Sequence, residues 1–114
     1  MGTATLATVI VVSRFRVPEA EQASFRDDLE KARGTLAVQQ GYVAGRVGRN
    51  VDDPELWLLS TEWVGPGAYR RALSAYDVKL TAVPVLSRAV DEPSAYETVE
   101  PGTELNRHAT RSLG

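Results

Sequence analysis

Residues 6–17, LATVIVVSRFRV, begin as a continuous apolar run rich in Val and Ile and change to alternation at Ser13-Arg14-Phe15-Arg16. This predicts a first strand whose opening half is covered on both faces. Val9, Val11, Ser13 and Phe15 share one side of it, and Ile10, Val12, Arg14 and Arg16 the other. Pro18 ends the strand, and Glu19 and Glu21 follow where the positive end of a helix favours acid. Phe25, Leu29, Ala32 and Leu36 then recur at steps of four, three and four, a single helical stripe, while Arg26, Asp27, Glu30 and Lys31 point elsewhere. That stripe requires a sheet face to cover it, so Leu29→Ala is expected to be a core lesion.

Gly41 closes this helix with its freedom to turn left-handed, and Tyr42–Arg49 reads as a second strand thinned by Gly45 and Gly48. After the turn-forming stretch Asn50–Pro54, residues 55–63 form a third strand that puts Trp57, Leu59, Thr61 and Trp63 on one side. Gly65-Pro66-Gly67 is a turn, and the spacing predicts a second helical region from Ala68 to about Lys79, with Tyr69, Leu73, Tyr76 and Leu80 as its stripe. Pro84 limits residues 85–90 to a separate turn, residues 94–100 (SAYETVE) form a short last strand, and residues 101–114 a flexible tail.

The order strand, helix, strand, strand, helix, strand is the split βαβ unit run twice: an α+β, ferredoxin-like fold with a four-stranded antiparallel sheet in residues 1–100. Helices cover one face of such a sheet. Both parities of the first and third strands are apolar, so the second face calls for a partner, and a twofold dimer stacking sheet on sheet satisfies it most simply.

Composition narrows the chemistry. A chain of 114 residues with 43% hydrophobic and 25% charged positions fits one globular domain. Thirteen basic residues stand scattered against fifteen acidic ones, which leaves no footprint for nucleic acid. There is no cysteine, so disulfides, thiolate metal sites and cysteine nucleophiles are excluded. The apolar stretch Leu6–Val12 is too short for a signal peptide or a membrane span, and a cytoplasmic location is expected. Asp52, Asp53 and Glu55 lack the glycine and terminal glutamate of a calcium loop, so no metal is expected there; Gly65-Pro66-Gly67 lacks the spacing of a phosphate cradle.

Four segments carry a family resemblance: VVSRFRVPE, LWLLSTEW, AYRRAL and DEPSAYE. In their order and spacing, over Val9–Glu97, the chain resembles the antibiotic-biosynthesis monooxygenases of the dimeric α+β barrel superfamily. The resemblance implies a homodimer with a pocket between sheet and helices that takes an aromatic polyketide or a haem. It further implies an asparagine on the first strand, a tryptophan ending the third and a histidine on the next helix. By position the tryptophan is Trp63, the asparagine is replaced by Ser13, and the histidine by Ala72. Haem would lack its axial imidazole, since the single histidine, His108, lies in the predicted tail.

The branch that remains is oxygenation without a cofactor. A deprotonated phenol or enol can itself reduce dioxygen, provided that the protein binds the ring, stabilises the oxyanion and excludes water. Ser13 and Trp63 are the expected catalytic residues, and Phe15, Trp57, Tyr69, Ala72 and Tyr76 the expected substrate-binding wall; Arg14 or Arg46 is placed to assist at the oxyanion. Asp77, a tyrosine or the substrate's own acidity must supply the base. The partner implied is a small aromatic or polyketide-like metabolite. Two rival readings stand beside this one: a domain of the same fold that binds or senses a small molecule without transforming it, and a structural dimer whose pocket is filled by its own side chains, with Trp63 and Trp57 as plain core residues.

Overall fold

The computed structural model describes residues 8–105. Val9–Arg16 forms β1, and all eight of its residues pair antiparallel with β3, Leu56–Trp63, from Val9 opposite Trp63 to Arg16 opposite Leu56. On its other edge Val9–Val11 pairs with β4, Ala95–Glu97. β2, Tyr42–Arg49, pairs with the outer edge of β3, with a register shift between Tyr42 and Ala44. The sheet order is therefore β2-β3-β1-β4, all antiparallel, the ferredoxin-like arrangement.

One turn of 3-10 helix, Glu19–Glu21, leads into α1, Gln22–Ala37. The stripe Phe25, Leu29, Ala32 and Leu36 is fully buried against Val9, Val11, Phe15, Trp57, Leu59 and Trp63, which alternate along β1 and β3. Each large apolar side chain hidden there contributes about 1.5–3 kcal/mol. The opposite parity, Ile10 and Val12 with Leu56 and Leu58, is only half-buried, and no helix among the described residues covers it.

The second helical region differs from the continuous helix that periodicity predicts. It is two helices, α2 (Pro66–Leu73) and α3 (Tyr76–Thr81), separated at Ser74 and Ala75, where Ala75 is extended at φ −68°, ψ 141°. The break resets the helical phase. The buried stripe becomes Ala68, Ala72, Val78 and Ala82, and Tyr76 and Leu80 turn outward. A further single turn, α4 (Val83–Leu86), carries Pro84 in its first turn, where the missing N–H has no partner to lose. The last strand is three residues long, shorter than residues 94–100 suggest, although Thr98 N–H still donates to Thr8 O at 2.9 Å. Of the predicted tail, residues 106–114, including His108, lie outside the described residues.

Candidate active site

β1 ends its pairing with β4 at Val11, and its free edge beyond that point is taken up by residues 90–94. Val90 N–H donates to Arg14 O at 2.7 Å, and Val12 N–H donates to Ser94 O at 2.7 Å. Between these two anchors Asp91, Glu92 and Pro93 arch away from the strand. The arch is held a third time by Arg14, whose Nε donates to Glu92 Oε2 at 2.7 Å and Nη2 to Oε1 at 2.6 Å. Paired side-on hydrogen bonds of this kind fix orientation as well as distance.

Beneath the arch lies a cavity of about 380 Å³, bounded by Val12 and Ser13 of β1, Tyr69 of α2, Leu86 of α4, and Val90, Glu92 and Ser94 of the arch. Its size falls within the roughly 300–1,000 Å³ usual for small-molecule pockets. Ser13 is 7% exposed and sits on the helix-covered face of the sheet among apolar neighbours. Neither its hydroxyl nor that of Tyr69 has a hydrogen-bond partner among the described residues. Burial pushes the Tyr69 phenol up from its ordinary value, so it holds its proton at neutral pH and remains a donor. Hydrogen bonding to Arg14, and then its positive charge, hold the Glu92 carboxyl below the usual range, so Glu92 is ionised and occupied.

A sequence model of antibiotic biosynthesis monooxygenases matches residues 8–81. The chain belongs to that family. No curated protein sequence matches it at a significant level. Among solved structures it is similar to SnoaB, a cofactor-independent oxygenase from Streptomyces nogalater, at 23% identity and a TM-score of 0.70 over 82% of this chain and 95% of that one. It is also similar to a conserved protein from Methanosarcina mazei, at 18% identity and a TM-score of 0.67 over 82% and 94% of the two chains. At these identities the likeness is one of fold.

Of the residues that the sequence singles out within this monooxygenase-family chain, Ser13 and Tyr69 meet at the cavity. Trp63 is 0% exposed and stands one ring behind the wall. Its indole packs on Tyr69 at 5.6 Å between centroids and meets Tyr42 edge-on at 5.3 Å, while its Nε1 donates to Thr61 Oγ1 at 2.9 Å. A Cβ on Gly45 would collide with the Tyr42 hydroxyl, so the glycine in β2 makes room for this stack.

The other expected residues lie elsewhere. Phe15 is packed on Phe25 at 5.1 Å in the core, and Ala72 is buried under α2. Trp57 faces a different cleft, between α1 and β2. Tyr76 is 74% exposed, because the break before it rotates it away from the sheet. Arg46 and Asp77 are exposed and line neither cavity, whereas Arg14 acts on the arch. Leu86, Val90, Asp91, Glu92 and Ser94 are cavity residues that sequence reasoning missed. The one available signal was that Asp91, Glu92 and Ser94 fall within the family-like segment DEPSAYE, which runs into the strand that completes the sheet.

Among the described residues no group of three or more His, Cys, Asp or Glu side chains is placed to hold a metal ion, and no helix is long and apolar enough to cross a membrane.

Proposed function

We propose that the protein is a cofactor-independent monooxygenase of a small aromatic or enolisable metabolite, with the cavity beneath the 91–93 arch as its active site. The observation that carries this reading is the pair of unpartnered hydroxyls, Ser13 and Tyr69, on the wall of a small-molecule-sized cavity in a monooxygenase-family chain. Two O–H donors at one wall suit an oxyanion, and each becomes worth more as charge develops on the substrate oxygen. An acidic phenol or enol bound there gives its proton to water, the resulting anion passes one electron to dioxygen, and the substrate radical and superoxide combine at a C–H carbon. The peroxide takes up a proton and loses water by breaking its O–O and C–H bonds, which leaves a carbonyl at that carbon. The family resemblance to a cofactor-free branch and the fold shared with SnoaB support this chemistry. Trp63 serves it from behind Tyr69, fixing the plane of the phenol ring.

The test is oxygen uptake by the purified protein with a panel of anthrone-like phenols, repeated with Ser13→Ala and Tyr69→Phe. Each variant is expected to lower kcat/KM by about 100-fold, the effect of removing one oxyanion donor. Absence of uptake with every member of the panel rejects the reading.

One observation favours a second function, binding without turnover. Of the two carboxylates that line the cavity, Asp91 is exposed, and Glu92 is engaged by Arg14 and held below the usual carboxyl range, which makes it a poor proton acceptor. A receptor of this kind gives saturable ligand binding at Ser13 and Tyr69 with no oxygen consumed. Either function is compatible with a twofold dimer in which the half-buried sheet face of Ile10, Val12, Leu56 and Leu58 meets itself. Light scattering of the wild type against Leu58→Lys checks that assembly.

A further inference from the structure

Two carboxylates line the cavity beneath the arch, and their surroundings differ. Glu92 is clamped by Arg14, through Nε at 2.7 Å and Nη2 at 2.6 Å, which neutralises its charge. Asp91, its neighbour in the chain, is exposed, and its carboxylate has neither an ion pair nor a hydrogen bond among the described residues. None of the lining residues is Lys, Arg or His. Arg88, close by in the chain, lies over the Phe25 ring at 4.8 Å and within 3.9 Å of Glu21 and Asp28, on the side of α1. Arg70 and Arg71 follow Tyr69 on α2 but form no part of the lining. With Arg14 set against Glu92, the cavity is left with one uncompensated negative charge, at Asp91.

The inner wall offers donors. Ser13 is 7% exposed and its hydroxyl has no partner among the described residues. Among those residues the one buried, partnerless side-chain nitrogen or oxygen that solvent does not reach is Trp57 Nε1, so the Ser13 oxygen is open to the cavity. The Tyr69 phenol is the second donor there. A phenol or enol oxygen seated between them becomes negative as it ionises, and no cation of the lining meets that charge. Asp91 opposes it, because like charges within one small cavity repel. A substrate that carries its own positive charge escapes this repulsion: its ammonium pairs with Asp91, and it is neutral as a whole once its oxygen has ionised.

We infer that the substrate of this cavity is a phenol or enol bearing a protonated amine, with Asp91 as the counter-ion of the amine and Ser13 and Tyr69 as donors to the oxygen. The inference rests on the oxygenase reading of the same cavity and names its substrate class. Asp91 is then a specificity residue, which favours amines and rejects carboxylates. Because it is exposed, the preference it gives is screened by salt.

The test is calorimetric titration of the full chain with three phenols that differ in one substituent: tyramine with an ammonium, tyrosol with a neutral hydroxyl and para-hydroxyphenylacetate with a carboxylate. Tyramine is expected to bind about tenfold more tightly than para-hydroxyphenylacetate, with tyrosol between them, and the gap to narrow as salt is raised. Asp91→Asn is expected to weaken tyramine about fivefold, the effect of an exposed ion pair. Asp91→Glu should restore its binding, and Asp91→Lys should reverse the order of tyramine and para-hydroxyphenylacetate. Ser13→Ala should weaken all three, since each places its phenol at the inner wall. The inference is overturned if none of the three binds, if the carboxylate binds as tightly as tyramine, if the order survives Asp91→Lys, or if Ser13→Ala changes nothing. Oxygen uptake with the anthrone-like phenols is scored separately. Amine selectivity without any uptake rejects the oxygenase and keeps the amine site, whereas uptake without amine selectivity does the reverse.

Discussion

Arg14 grips Glu92 through two parallel hydrogen bonds, of 2.7 and 2.6 Å, across a sequence separation of 78 residues. The pair ties the arch to the strand that also carries Ser13 through a charge that titrates. Because the folded Glu92 carboxyl is held below its ordinary value of 4.5, its contribution to stability is complete above that value. It is lost as pH falls through the lower, folded value. Melting temperatures of the wild type and Glu92→Gln are therefore expected to differ most at neutral pH and to converge in acid. Curves that stay parallel down to acid pH would remove the pair from the stability of the arch.

Thr61 has one visible task, accepting from Trp63 Nε1 inside the core. Thr61→Val keeps the shape and removes the acceptor, leaving a buried indole N–H unsatisfied. We expect a loss of about 1–3 kcal/mol in urea unfolding. An unchanged midpoint would mean that the indole finds another acceptor.

Two glycines separate backbone need from mere presence. Gly41 has φ +92°, and a Cβ there would lie 2.5 Å from that of Ala68 and 3.2 Å from Val64 Cγ2. Gly41→Ala is expected to cost more than about 1 kcal/mol. Gly34, within α1, has nothing within 4 Å of such a Cβ, and Gly34→Ala is expected to gain about 0.5–1 kcal/mol. Thermal melts of the two variants should move in opposite directions.

The two central strands and the first helix were legible because burial writes itself into periodicity. β1 and β3 alternate without interruption, and Phe25, Leu29, Ala32 and Leu36 keep one phase over the length of α1. The second helical region was misread for a definite reason. Ser74-Ala75 contains neither proline nor glycine, so nothing in the sequence announced the break that turns Tyr76 outward. A large aromatic at helical spacing then imitated a core position, and the true stripe, made of alanines and one valine, looked too small to be one.

The site was only half legible. Ser13 stood out as a polar residue on an apolar strand face, and Tyr69 as an aromatic at the start of a helix. The outer wall did not stand out. Its placement rests on two backbone hydrogen bonds, from Val90 to Arg14 and from Val12 to Ser94, and backbone bonds of an aperiodic segment leave no pattern in side-chain type.

That wall has a consequence for how such a protein can diverge. The stretch that the family's sequence model matches ends at residue 81, and the arch beside the cavity lies beyond it. Asp91 and Pro93 are exposed and belong to no packed layer. Exchanging Asp91, which lines the cavity, alters its outer side and removes no side chain of the buried core. The cavity wall is thus written in two stretches of the chain, Ser13 and Tyr69 inside the part that the family's sequence model matches and the arch outside it.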